Sequence, residues 1–165
     1  MKKLLIYTTT LALASIALLS PSYATANTAN TDNGKVPHID GNEQFPPTRW
    51  RIVKHTIQIH VPKNSKALTE LSINFPNTIT ISSDIKNIKI VDEKEQKINA
   101  NISVNDRNIQ IAFAEPVAPN TKFNVELKNV KRRLVGNGYI YQLSAKFVGS
   151  DAEIPIGVAQ FHLYY

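Results

Sequence analysis

Two stretches of this 165-residue chain hold positive charge beside an aromatic ring or a glycine-rich turn. "TRWRIVK" sets Arg49, Arg51 and Lys54 around Trp50, and "KNVKRRLVGNG" sets Lys128, Lys131, Arg132 and Arg133 before two glycines. Arginine beside an exposed aromatic can hold acidic or sugar ligands through charge and stacking. The same runs are also what an ordinary solvated loop looks like. Arg49, Trp50, Arg51, Lys131, Arg132 and Arg133 are therefore the candidate binding residues. An envelope polysaccharide or an envelope protein is the partner they suit.

The four histidines raise the question of a metal. His38 lies in a polar leader, and His55 shares parity with Ile57 and Ile59, which puts it at the inward edge of a strand. His60 and His162 have outward parity on the first and last long runs, so they would meet if those strands were neighbours. No cysteine exists, and no carboxylate stands at ligand spacing, so neither a metal nor another cofactor is expected. A periplasmic metal-binding protein or metal-dependent enzyme using these histidines is the alternative reading. Asp84, Asp151 and Glu153 are too few oxygens for a calcium corner. The chain has no G-x-S-x-G elbow, no thiol and no glycine-rich loop opening a helix. An enzyme is not expected.

The elements that would carry these residues follow from the pattern along the chain. Lys2 and Lys3, the apolar run "LLIYTTTLALASIALL" and the small residues Ser22 and Ala24 form a secretory signal peptide over residues 1–24. Its removal takes two lysines from a formal net charge of +6. Residues 25–49 are small and polar without periodicity, as a flexible leader would be. From Trp50 the period is two. Ile57, Ile59 and Val61 alternate with polar residues, as do Leu71, Ile73 and Phe75, then Ile109, Ile111 and Phe113, then Phe123, Val125 and Leu127. Such alternation suits sheets with one face packed and one face wet. "VDEKEQK" and "VNDRN" read as turns between antiparallel neighbours, "EPVAPNT" as a crossing, and Ser65 as the cap of a single helical turn.

The fold expected over residues 50–165 is an all-β, immunoglobulin-like antiparallel sandwich of seven to eight strands. The ending "IPIGVAQFHLYY" would also suit the closing strand of an outer-membrane barrel. A barrel strand needs roughly 9–11 residues, however, and most runs here are shorter. No second apolar span exists, so a helical integral membrane protein is not expected. Export excludes nucleic acid as a partner and leaves the periplasm, cell surface or extracellular space as the destination. Edge strands leave room for self-association.

"HVPKNSKALTELSI", "FAEPVAPNTKFNVELKNVKR", "GYIYQLSAKF" and "GVAQFHLYY" follow one another from about Ile52 to Tyr165. In this order they resemble an exported cyanobacterial family that carries a domain of unknown function, family 2808. The middle section "FPNTITISSDIKNIKI" departs from that pattern, being shorter and more polar. The resemblance implies a signal peptide and a small β-rich envelope or extracellular domain. It implies no activity and carries over no functional residues.

Overall fold

A computed structural model describes residues 34–47 and 50–163. The expected signal peptide, residues 25–33 of the expected leader, Thr48, Arg49 and the last two tyrosines lie outside the described residues. Ten strands run in chain order: β1 (His38–Phe45), β2 (Ile52–Val61), β3 (Leu68–Asn74), β4 (Ile79–Thr80), β5 (Ile88–Asp92), β6 (Ala100–Asn105), β7 (Asn108–Val117), β8 (Thr121–Arg132), β9 (Gly138–Phe147) and β10 (Ser150–His162). One sheet has the order β1-β2-β8, with β4 and β5 both pairing along the far edge of β8; the other has the order β10-β9-β3-β7-β6. Every strand pairing is antiparallel. The molecule is an immunoglobulin-like antiparallel sandwich, and no described helix is long and apolar enough to cross a membrane.

The alternation read along the sequence sets the core. Ile57, Ile59, Ile73, Ile109, Ile111, Phe123, Val125, Tyr141 and Phe161 are all enclosed between the sheets. Burying each such side chain contributes about 1.5–3 kcal/mol, enough together to hold a domain without disulfides. Ile102 and Val104 of β6 are only half-buried, because β6 is the outer strand of its sheet.

Four expectations need correction. The strands number ten among the described residues, and His38–Phe45, expected as flexible leader, is an edge strand bonded to β2 from His38–His60 to Phe45–Lys54. Its backbone groups gain a ladder partner along one edge, which its polar side chains do not advertise. "VDEKEQK" is a turn as expected, with the Asp92 N–H donating to the Gln96 carbonyl, the Ile98 N–H to the Ile90 carbonyl and an antiparallel Val91–Lys97 bridge, but the strands it joins do not pair: β5 bonds to β8 in one sheet and β6 to β7 in the other. "VNDRN" is the hairpin expected, Asn105 pairing with Asn108. Ser65 closes a turn on the Pro62 carbonyl rather than capping a helix, because Leu68 and Leu71 are drawn into β3 and the core. Among the described residues, the one helical piece is a 3-10 turn at Ile85–Asn87.

Candidate functional site

The basic residues converge at a corner of the first sheet, where β8 ends between β2 and β4. Lys131 pairs with Ile52 on one side and Thr80 on the other. The Arg132 N–H donates to the Arg51 carbonyl at 2.9 Å, and the Arg133 N–H to the Thr78 carbonyl at 2.8 Å. Trp50, Arg51, Lys131 and Arg133 are all exposed, Trp50 to 63%, and Phe45 and Ile52 stand exposed beside them. Among the described residues, Arg51, Lys131 and Arg133 make no ion pair.

Arg132 does not belong to this surface. It is 5% exposed: its Nε donates to the Trp50 carbonyl at 2.6 Å, its Nη1 to Gln44 Oε1, and its guanidinium lies 5.6 Å from the Tyr139 ring centroid. Burial lowers its pKa, against the opposing charge effect of Tyr139 and Tyr141. The cause is a bulge. β8 buries Phe123, Val125 and Leu127, then Lys128 and Asn129 both face out, and Val130 and Arg132 face in. Asn129 has φ 52°, and the register against β2 shifts between Val53 and His55. One extra residue inverts the parity of everything beyond it.

Next to Arg132 inside the sandwich lies His55, stacked on Phe161 at 4.0 Å between centroids and 2.7 Å from the Tyr141 hydroxyl through Nδ1. Burial, aided by Arg132, lowers its pKa to about 3. The inward placement expected of His55 is what the structure has. On the opposite, outer face of the sheet, a groove of ≈ 530 Å³ is lined by Ile52, Thr80, Ser82, Asn87, Asn129 and Lys131. Asn129 Nδ2 donates to Asn87 Oδ1 at 2.8 Å across it. These hydroxyl and amide groups were not singled out in the sequence. Only the proximity of β4 and β8 makes them a set.

The histidine pairing is different from the one expected. His60 is in β2 of the first sheet and His162 in β10 of the second, where His162 is exposed opposite Gly138. The cross-strand partner of His60 is His38, with ring centroids 5.0 Å apart. Asp84 accepts from the Lys86 N–H at 3.1 Å to start the 3-10 turn, and Asp151 is in β10. Among the described residues, the group of three ligand-type side chains that converges is His38, Asp40 and His60.

The family described as "Protein of unknown function (DUF2808)" matches residues 34–162. The chain belongs to this family. The DUF2808 match takes in all ten strands, β1 included. None of the curated proteins compared with the chain matches it. Among solved structures, the N-terminal domain of the Streptococcus gordonii adhesin Sgo0707 is similar at 8% identity and TM-score 0.53, over 78% of this chain and 32% of that one. BslA, a bacterial hydrophobin, is similar at 12% identity and TM-score 0.52, over 78% of this chain and 94% of that one. The DUF2808 chain thus spans about a third of the adhesin structure. At these identities the shared property is the sandwich fold.

Proposed function

We propose that this DUF2808 protein is an exported, non-catalytic binding module of the cell envelope, and that its basic-aromatic corner holds an acidic polysaccharide. The observation carrying this reading is Arg51, Lys131 and Arg133 standing outside ion pairs among the described residues, beside exposed Trp50 and the hydroxyl- and amide-lined groove. A polysaccharide offers ring faces, hydroxyls and carboxylates. Trp50 and Ile52 suit the first, Thr80, Ser82 and Asn87 the second, and the three cations the third. Export rests on residues 1–24, whose pattern is that of a signal peptide. An architecture shared with an adhesin domain and a hydrophobin adds fold-level support, which by itself assigns no ligand.

The test is retention on immobilised polygalacturonate, with neutral dextran as control. The wild type should be retained and should elute as salt rises, because exposed charge pairs are screened. A Lys131→Glu/Arg133→Glu variant should flow through, and Trp50→Ala should elute earlier. Retention of the double variant at wild-type salt would remove the corner from the binding reaction. Fractionation of cells tests the location: washed envelope releasing the protein at high salt is the expected result, and recovery inside the cytoplasm the contrary one.

A further inference from the structure

His38, Asp40 and His60 sit on the outer face of the first sheet, clear of the basic corner. His38 and His60 oppose each other across β1 and β2, and His60 is itself opposite Lys122 of β8. Asp40 enters this row because β1 shifts register between Ile39 and Gly41, and that irregularity brings its carboxylate between the two rings. His60 has outward parity yet is only 4% exposed, whereas the His38 and Asp40 side chains keep 22% and 24% exposure. The cluster is therefore walled on one side and open to solvent on the other.

The distances have the form of a chelate. Asp40 Oδ1 lies 3.0 Å from His38 Nε2 and 3.8 Å from His60 Nδ1, and all three ligand atoms fall within 4.8 Å of one another. Bonds of about 2.0–2.1 Å at tetrahedral angles would put ligand atoms roughly 3.3 Å apart, so the triangle needs only small side-chain adjustments. The second carboxylate oxygen, Oδ2, is held by Lys122 Nζ at 2.9 Å. That contact leaves Oδ1 facing the two imidazoles and fixes the carboxylate as a one-oxygen ligand.

We propose that His38, Asp40 and His60 form a site for a divalent transition-metal ion of the zinc type, with a fourth position open to solvent. Two imidazole nitrogens and one carboxylate oxygen are a donor set that zinc accepts, and one that calcium and magnesium, which prefer oxygen alone, do not. One doubly charged ion would bind the two imidazole nitrogens and the carboxylate oxygen that both of them face. It would also tie edge strand β1 to β2. Lys122, being cationic, opposes the ion's charge and limits affinity.

Titration of the untagged protein with zinc chloride by calorimetry is the deciding experiment, with Co²⁺ absorption as a second readout of ligand geometry. Saturation at one ion per chain at micromolar zinc is expected, accompanied by a higher melting temperature. His38→Gln and Asp40→Asn, both at partly exposed positions, should each weaken binding at least ~10-fold. Lys122→Met should bind more tightly, and His162→Gln should match wild type. His60 is enclosed, so His60→Gln is interpreted only if its circular dichroism matches the parent's. The proposal is overturned if zinc does not saturate at one ion per chain. It is equally overturned if binding survives both His38→Gln and Asp40→Asn, or disappears in His162→Gln.

Discussion

Burial drives the His55 imidazole down to a pKa of about 3, and the Arg132 guanidinium pushes it the same way. The neighbouring Tyr141 hydroxyl offers no compensating charge, since its own burial raises its pKa well above the ordinary tyrosine value. In the unfolded chain the same imidazole titrates near 6.5. The unfolded state therefore binds more protons between those two values, and stability follows the difference. It is complete above pH 6.5 and is lost as the pH falls toward 3, at up to about 1.4 kcal/mol per pH unit. His55→Phe keeps a ring to stack on Phe161 but withdraws the partner of the Tyr141 hydroxyl, which costs about 1–3 kcal/mol at neutral pH. Urea unfolding at pH 7.5 and pH 5.0 checks both effects. The wild type should lose roughly 2 kcal/mol more than the variant between those pH values. Identical pH profiles would mean that His55 is not the group responsible.

At the scale of strands, Gly138 fixes how β9 meets β10. A Cβ there would lie 2.3 Å from the Phe161 carbonyl oxygen, which is backbone of the partner strand and cannot swing aside. Gly138→Ala should therefore part the end of the ladder and cost about 2–4 kcal/mol. Gly136, two residues earlier, has φ 72° and open space around it, so Gly136→Ala should cost only the left-handed penalty of about 1–2 kcal/mol. Thermal unfolding of the two variants should show the larger drop for Gly138→Ala; equal drops would count against the close approach. The contrast also shows what a sequence can disclose. Both glycines read alike in "LVGNG", as turn residues, and only the pairing of Gly138 with His162 separates their roles. The apolar sides of β2, β3, β7 and β8 were legible because Ile, Leu, Val and Phe recur there with period two. β1 was not, because "HIDGNEQF" carries one aliphatic residue and owes its place to backbone bonds with β2. Arg132 was misplaced for a related reason: the left-handed turn at Asn129 flips parity, and nothing in "KNVKR" marks it. The His38–Asp40–His60 cluster was hidden with β1, since two of its members lie in that strand.

For the molecule as a whole, the decisive question is where the domain starts, because the two possible answers give different edges. With β1 in place, the first sheet ends on a strand whose Asn42 side chain donates to the Gln160 carbonyl of β10 at 2.7 Å, linking the two sheets along one side of the sandwich. Ile39 reaches across the same seam to within 3.4 Å of the position a Cβ on Gly157 would take. A chain beginning at Trp50 lacks this strand and exposes the row of backbone groups from Lys54 to His60 that β1 occupies. Unpaired sheet edges are templates for pairing with a second chain. It would also leave Arg132 Nη1 without Gln44 Oε1, in a site where a buried charge depends on its acceptors. The chain from Gly34 should thus melt within a few degrees of the full protein and sediment as it does. The chain from Trp50 should melt at least ~10 °C lower, a loss on the order of 2 kcal/mol for a domain of this size, and should sediment as larger species. A monomeric chain from Trp50 with unchanged melting temperature would show that β1 is an ornament on a domain complete without it. The predicted loss would show instead that the edge strand is what closes the sandwich.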